Sequence, residues 1–151
     1  MDIKIVARNR KVQHNYFILE RLEAGIALKG SEIKSIRMGQ VSISEAYVRI
    51  DNLEAWLIDA HIAPYTQSSY HNHEPKRPRK LLLHRGEILR LWNEIRKKGI
   101  AIIPTMVYFK SGKVKVEIAI AKGKKLYDKR ATIAKRDLER EIERNYRQRK
   151  Y

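Results

Sequence analysis

Residues 100–121 read IAIIPTMVYFKSGKVKVEIAIA, and this stretch decides the fold class. Over 113–121 apolar residues alternate strictly with other residues, which is typical of a strand with one buried face. The apolar positions are Val114, Val116, Ile118 and Ile120. Residues 100–109 predict a second strand, and Ser111-Gly112 predicts the tight turn that joins the two. The stretch therefore predicts an antiparallel hairpin.

Further strands are predicted on the N-terminal side of this hairpin. The apolar and β-branched content of residues 16–28 indicates strands that break near Glu23-Ala24-Gly25. Two more strand candidates cover 46–50 and 54–62, and the turn-prone pair Asp51-Asn52 separates them. These segments add antiparallel partners to the hairpin.

Two helices are predicted between and after these strands. Ser31 is a suitable N-cap for a short helix, and Gly39 stands just past its end. A second helix carries apolar residues at helical spacing, namely Ile88, Leu91, Trp92 and Ile95, and ends before Gly99. Residues 63–80 contain three prolines and read as a long loop. The fold class is therefore mainly β, a small barrel or strongly bent sheet with flanking helices.

The charge of the chain indicates a polyanionic partner. Its 151 residues include 33 Lys and Arg against 17 Asp and Glu, which gives a net charge of +16 and a pI near 10.2. Such an excess opposes compaction by self-repulsion, so nucleic acid or an anionic membrane surface is expected to neutralise it. A membrane is disfavoured, because no apolar run approaches the roughly 20 residues of a spanning helix and no secretory signal is recognisable.

Cysteine is absent, which excludes disulfides, thiolate-bound zinc and a thiol nucleophile, and is compatible with a cytoplasmic location.

Basic runs are the clearest functional signal. They cover 76–80, 122–130 and 144–150, and Tyr70 and Tyr127 lie near the first two as rings able to stack on unpaired bases. One such run is usually a solvated face, whereas three together with the net excess favour nucleic-acid binding. Charge alone does not separate RNA from DNA, or a ribosomal component from an assembly factor.

The last thirty residues differ in kind from the rest. Residues 122–151 hold twelve basic and five acidic side chains, and only a thin apolar stripe of Ala134, Leu138, Ile142 and Tyr146. Such a segment cannot bury enough surface to offset its ordering entropy. We expect it to be disordered in the free protein and helical once RNA neutralises it.

The sequence contains no strong pattern of catalytic residues. No phosphate-cradling glycine spacing or nucleophile-elbow motif occurs. His71 and His73 are two residues apart and could share a metal, although a plain loop role is favoured. The carboxylates of Glu23, Glu32 and Asp59 are the candidates for a two-metal nuclease site, but they lack a metal-ligand spacing. We expect no enzyme activity, no metal and no cofactor.

Six motifs follow one another along the chain in a specific order. They are Asn9-Arg10-Lys11-x-x-His14-x-Tyr16-Phe17-Ile18; Glu23-Ala24-Gly25-Ile26; Gly30-x-Glu32-Ile33-Lys34-Ser35-Ile36-Arg37-x-Gly39; Ala60-His61-Ile62-x-Pro64-Tyr65; Arg77-x-Arg79-Lys80-Leu81-Leu82-Leu83-His84; and Lys122-Gly123-Lys124-Lys125-Leu126-Tyr127-Asp128-Lys129-Arg130. With them the chain resembles the SmpB family, the small protein B that partners transfer-messenger RNA (tmRNA, or SsrA RNA) in bacteria. The resemblance runs from about residue 7 to the end.

The resemblance implies a fold and a function. The fold would be an oligonucleotide-binding (OB)-type antiparallel β-barrel over 1–130, with a basic tail over 131–151 that is disordered when free and helical on the ribosome. The barrel would bind the tRNA-like domain of tmRNA and mimic its missing anticodon arm. With EF-Tu on the alanyl-tmRNA, it would deliver tmRNA to the A site of stalled ribosomes for trans-translation. The tail would lie in the empty mRNA channel of the small subunit, and the free protein would be a monomer.

The resemblance also implies site residues. The expected RNA-binding residues are Asn9, Arg10, Lys11, His14, Glu23, Lys34, Arg37, Arg79, Lys80, Leu82, His84, Lys122, Lys124 and Lys125. Among them Asn9 and Glu23 would hydrogen-bond bases or 2′-hydroxyls, and the cations would contact phosphates. For Leu82, simple core packing stays an open alternative. Tyr127, Asp128, Lys129 and Arg130 would meet rRNA at the decoding centre. A ribosomal or assembly protein and a metal-dependent nuclease are the competing hypotheses.

Overall fold

The computed structural model describes residues 2–65, 72–124, 138, 140–142 and 144. Within these ranges the elements are β1 (Ile3–Arg8), α1 (Val12–Asn15), β2 (Tyr16–Ile26), α2 (Gly30–Arg37), β3 (Val41–Ser42), β4 (Tyr47–Asp51), β5 (Glu54–Ile58), β6 (His61–Ile62), β7 (Arg79–Leu82), α3 (Arg85–Ile95), β8 (Ile100–Lys110) and β9 (Lys113–Gly123). The described tail residues 138, 140–142 and 144 are helical.

The predicted hairpin is confirmed as β8 and β9. Its register pairs Lys110 with Lys113, and both turn residues have positive φ, 51° at Ser111 and 78° at Gly112. This is the type I′ geometry whose twist matches that of the flanking strands. The hairpin forms the centre of the fold, because β1 pairs with β8 and β2 pairs with β9.

Seven strands form one antiparallel sheet in the order β1-β8-β9-β2-β7-β5-β4, and β3 pairs separately with β6. The sheet curls until β4 lies close to β8. Its edge strands β1 and β4 do not pair with each other in the described residues, so the expected small barrel or strongly bent sheet takes the form of an open, curled sheet. The mainly β class with flanking helices is confirmed.

The concave side of the curled sheet holds the main core. Alternation along β9 places Val116, Ile118 and Ile120 there, as the sequence predicts. Ile36 from α2 and Leu91 from α3 cover this core. A smaller cluster of Val12, Ile103 and Ala121 on the opposite side holds α1 against the sheet.

The N-cap residue of α2 is Lys29 rather than the expected Ser31. Three further boundaries, all of strands, differ from the sequence expectation. β2 runs without a break through Glu23-Ala24-Gly25, because β9 pairs with it on one side and β7 joins at Gly25 on the other. The strand expected over 54–62 divides into β5 and β6 around Asp59, whose φ is 60°. The loop expected over 63–80 ends early, because Arg79 and Lys80 already belong to β7. In each case tertiary pairing overrides the local signal.

Candidate nucleic-acid interface

Strand register gathers distant residues on the convex side of the sheet. Directly opposite residues on neighbouring strands point to the same face. One such row joins Tyr108, Lys115, Gly25 and Leu82, and the next joins Met106, Glu117 and Glu23. We call this surface the outer sheet face and define it by Arg21, Glu23, Lys80, Leu82, Tyr108 and Lys115.

Glu23 lies on this face as a fixed carboxylate. The Tyr108 hydroxyl donates a hydrogen bond to Oε2, and the Lys110 ammonium lies 3.3 Å from the same oxygen. The Tyr108 hydrogen bond is the main cause that lowers the pKa of Glu23, and Lys110 adds to it against a partial desolvation. The side chain is 37% exposed, so its remaining lone pairs are open to a donor from outside.

Leu82 is 54% exposed, which rules out the core-packing alternative. A Cβ on Gly25 would lie 3.1 Å from the Leu82 Cβ, so the glycine allows the two strands to meet closely here. Leu82, Lys80 and His84 line a groove of about 560 Å³ together with Glu23 and Lys115. Three expected RNA-binding residues of β7 and its exit therefore lie beside Glu23.

His84 has a second task in this groove as the N-cap residue of α3. Its backbone N–H donates to Glu87 Oε1 at 3.0 Å, which satisfies one of the otherwise unpaired groups at the start of the helix. The His84 side chain therefore extends from a backbone that the start of α3 holds in place.

A second group of expected residues lies at the other end of β2. Lys122 pairs with Phe17, and Lys124 donates to the Gln13 carbonyl at 3.0 Å, so the end of β9 lies beside α1. The Lys124 ammonium is 4.8 Å from the centre of the Phe17 ring. Here α1 carries His14, and the exposed Arg10 and Lys11 precede it; Lys11 forms a surface ion pair with Glu45 at 2.9 Å.

Asn9 is placed differently from the expectation. It is 8% exposed, and its Nδ2 donates to the carbonyls of Ile43 and Pro104 at 3.2 Å each. Its Oδ1 accepts from the Lys11 N–H at 3.3 Å. These bonds tie the residue after β1 to its neighbouring strand β8 and to the segment that follows β3. The Asn9 amide is therefore engaged by the protein itself, which does not agree with the expected base contact.

The environment of Arg79 also differs from the expectation of a phosphate contact. Its side chain is fully buried, its Nε donates to Glu32 Oε2 at 2.6 Å, and its Nη1 donates to the Ala60 carbonyl at 2.6 Å. Arg77 donates to the other oxygen of Glu32 at 2.5 Å. Burial would raise the pKa of Glu32, but hydrogen bonds from Arg77, the Lys29 N–H and Arg79 lower it overall. The Arg79 guanidinium therefore belongs to the interior, and the expected phosphate contact is wrong.

Lys34 and Arg37 are exposed on α2, apart from Glu23 in the sequence and on another element. Their charged groups lie over rings, Lys34 at 5.4 Å from the Tyr65 centroid and Arg37 at 5.6 Å from that of Phe109. Such stacking orients a cation without neutralising it, so both keep their charge for an anion.

The nuclease candidates are not brought together. Glu32 is held by two arginines in the interior, and Asp59 lies in an exposed turn. His73 is buried, with Nδ1 2.9 Å from the Ser31 hydroxyl and Nε2 2.8 Å from the Ile62 carbonyl. Within the described ranges, no three His, Asp or Glu side chains are grouped for a metal.

Several expected residues lie outside the described residues. These are Tyr70, His71, Lys125, Tyr127, Asp128, Lys129 and Arg130.

Sequence reasoning missed the partners of Glu23. Tyr108, Lys110 and Lys115 belong to the hairpin, and their alternation marks an outward face without saying what faces it. Because Tyr108 and Lys110 contact Glu23 across more than 80 residues of sequence, only the strand register brings them together. The signal available beforehand was the lysine-rich outward side of β9.

Fold and surface together define a class, a small basic protein built on a curled antiparallel sheet with a surface suited to nucleic acid. In the part of the chain that the structure describes, no helix has both the length and the apolar character needed to cross a bilayer. A sequence model of the SmpB protein matches residues 6–148. The chain belongs to the SmpB family.

Individual relatives agree with this assignment. The SsrA-binding protein of Desulforudis audaxviator is 59% identical and the alignment covers 93% of this chain and 92% of the relative. The SsrA-binding protein of Carboxydothermus hydrogenoformans is 56% identical, with 97% and 98% covered. A solved structure described as "tmRNA-SmpB: a journey to the center of the bacterial ribosome" is 42% identical with a TM-score of 0.69, covering 84% of this chain and 93% of its own.

Proposed function

We propose that this chain binds tmRNA and acts with it on the ribosome in trans-translation, the rescue of ribosomes stalled on truncated messages. Membership of the SmpB family, relatives named SsrA-binding proteins and a neighbour solved as tmRNA-SmpB support the proposal. The observation that carries it on this molecule is the fixed Glu23 carboxylate, which lies in a groove that Lys80 and Lys115 also line.

The outer sheet face has the chemistry to recognise a folded RNA. Lys80 and Lys115 can contact phosphates, which position an RNA but do not distinguish one RNA from another. Glu23 would repel phosphates, so its place there favours a hydrogen bond from the amino group of an unpaired base. Leu82 adds an apolar contact at the same groove. These contacts would fall on the tRNA-like domain of tmRNA, whose missing anticodon arm the protein replaces.

The group around α1 and the tail have separate tasks in this proposal. Arg10, Lys11, Lys122 and Lys124 extend the contact with tmRNA, and the tail follows rRNA through the empty mRNA channel of the small subunit. EF-Tu takes part only through the alanyl-tmRNA. The protein works as a cytoplasmic monomer, and its role is binding rather than catalysis.

A gel-shift titration tests the proposal. The chain should bind tmRNA more tightly than an unrelated RNA of equal length at physiological salt. Glu23→Ala should weaken tmRNA binding by about 1–3 kcal/mol, as for one lost base contact. Glu94→Ala is the matched control, because Glu94 is also paired with a lysine but lies on α3. Equal affinity for both RNAs would contradict the proposal and favour a general ribosomal or assembly protein.

The nuclease alternative has its own test. RNA incubated with the protein and Mg²⁺ should stay intact, because Glu32 is held in internal ion pairs and is not available to a metal. Cleavage that disappears in Glu23→Ala would overturn the binding proposal.

A further inference from the structure

One row of the sheet places an aromatic ring between two cations. Arg49 on β4 lies directly opposite Trp56 on β5, and Trp56 lies directly opposite Lys80 on β7. Directly opposite side chains have Cβ atoms about 4.5–5.5 Å apart. We call Arg49, Trp56 and Lys80 the tryptophan row.

The tryptophan row continues the outer sheet face toward the β4 edge. Along β7, Lys80 and Leu82 are exposed whereas Arg79 and Leu81 are buried, so Lys80 faces the same side as Leu82. Along β5, Ala55 and Leu57 enter the core and Trp56 points the other way. The indole is partly exposed and is not one of the residues that build the core.

A groove of about 520 Å³ opens at this ring. It is lined by Arg49, Asp51, Asn52, Glu54, Trp56, Arg77 and Pro78. Arg77 donates from its two terminal nitrogens to Glu32 and to the Pro78 carbonyl, so these two groups are directed at the protein itself. Lys80 lies 3.5 Å from Glu54, a pair that is nearly half exposed on both sides and therefore weak.

The chemistry of the groove fits a nucleobase better than a bare anion. Every base has a π-face that stacks on an aromatic side chain, and the flanking cations can contact the phosphates on either side. The carboxylates of Asp51 and Glu54 would repel a free phosphate, but they can accept a hydrogen bond from the exocyclic amino group of a stacked base. The net charge of +16 makes a polyanion the natural occupant.

We propose that Trp56 is a stacking platform for an unpaired RNA base, with Arg49 and Lys80 as its phosphate contacts. This inference rests on the proposed RNA-binding function and extends its surface across β7, β5 and β4. The base belongs either to tmRNA or to rRNA, since the stacking chemistry is the same for both.

Tryptophan fluorescence tests whether a base stacks on Trp56, because the chain contains only two tryptophans, Trp56 and Trp92. Trp92→Phe leaves Trp56 as the one indole, and its emission should fall as tmRNA or isolated small ribosomal subunits are added, since a stacked base quenches an indole. Trp56→Phe is the matched control, because Trp92 is 40% exposed and also lies near an arginine, Arg96, at 5.8 Å. In this control the emission of Trp92 should stay nearly constant as tmRNA or small subunits are added.

Affinity provides the second measurement. Trp56→Ala should weaken binding to the RNA that quenches Trp56 on the order of tenfold, the effect of one lost base stack. Trp56→Phe should keep most of the affinity because a ring remains, and Trp92→Ala should bind as the unchanged protein does. Urea unfolding of each variant identifies any that fails to fold. If Trp56→Ala does not fold, the quenching of Trp56 in Trp92→Phe is the measurement that tests stacking.

Quenching by tmRNA assigns the base to tmRNA, and quenching only by small subunits assigns it to rRNA. Unchanged Trp56 emission at saturation with both would overturn the inference. If the protein still preferred tmRNA over unrelated RNA, the proposed function would stand without it. Absence of that preference would instead contradict the proposed function.

Discussion

Arg79 and Lys80 are sequence neighbours that alternate across the sheet and so have opposite environments. Arg79 is enclosed with Glu32, whereas Lys80 faces outward beside Leu82. Arg79→Ala should lower the free energy of unfolding by about 3–5 kcal/mol, because it leaves the buried Glu32 carboxylate with one partner fewer. Urea unfolding followed by circular dichroism measures this loss.

Lys80→Ala is the matched control for that variant. It removes an exposed charge, so its stability should change by no more than about 0.5 kcal/mol, while its affinity for tmRNA should fall. An Arg79→Ala protein that unfolds at the same urea concentration as the unchanged chain would show that the interior ion pair does not hold α2 to β7.

Glu23 and Tyr108 allow a test in which the pH dependence has a definite sign. The pKa of Glu23 lies below its ordinary value of 4.5, mainly because of the Tyr108 hydroxyl. Its interactions therefore stabilise the fold above that pH and are lost as pH falls through the folded-state pKa. Tyr108→Phe should raise the pKa of Glu23 toward 4.5 and reduce stability at neutral pH, with the difference disappearing in acid.

NMR titration of the Glu23 carboxyl measures the shift directly. Tyr47→Phe is the control, because Tyr47 is exposed at 41% on β4 and should leave the midpoint of Glu23 unchanged. The same midpoint in Tyr108→Phe as in the unchanged protein would contradict the assigned cause. A weaker affinity of Tyr108→Phe for tmRNA would further indicate that a fixed orientation of Glu23 matters for binding.

At the scale of elements, the β8–β9 turn gives two substitutions with opposite signs. Gly112 has a φ of 78°, and a Cβ added there would meet open space. Gly112→Ala should therefore lower the free energy of unfolding by about 1 kcal/mol, through backbone strain alone. Ser111 has a φ of 51°, and Ser111→Asn should stabilise the hairpin slightly because asparagine tolerates this conformation. Thermal unfolding compares the two; a stabilised Gly112→Ala would contradict the turn geometry.

At the scale of the whole molecule, deleting the tail should show that the tail and the sheet have different functions. The tail residues that the structure describes are helical and exposed, among them Leu138 and Ile142. Removing residues 131–151 should leave urea stability and most tmRNA binding unchanged, yet block tagging in translation of a message without a stop codon. Loss of tmRNA binding on truncation would contradict this division of tasks.

The order of the free tail stays a prediction with its own measurement. We expect residues 132–148 to be disordered in the free protein, because the like charges at Arg136, Arg140 and Arg144 oppose a helix that no surface neutralises. Amide hydrogen exchange of the free chain should show little protection there. Strong protection across the segment would mean that the helix forms before RNA binds.

Much of this protein is determined by the sequence alone. The β8–β9 hairpin, the helix with Leu91 on its inner side and the polyanion-binding character follow from alternation, spacing and net charge, which are properties of neighbouring residues. The order of six motifs was also enough to identify the family. These features need no knowledge of which strands pair.

Only the tertiary structure decided which polar residues face solvent and which partners they meet. A motif does not show that Arg79 and Asn9 are buried while Leu82 is exposed. Which face of the sheet a side chain lies on, and what covers that face, depends on how the strands pair and pack. Nor does it show Tyr108 next to Glu23, or Trp56 between Arg49 and Lys80. Register brings together residues that are distant in the chain, and burial then decides whether an arginine holds the fold or remains available to RNA.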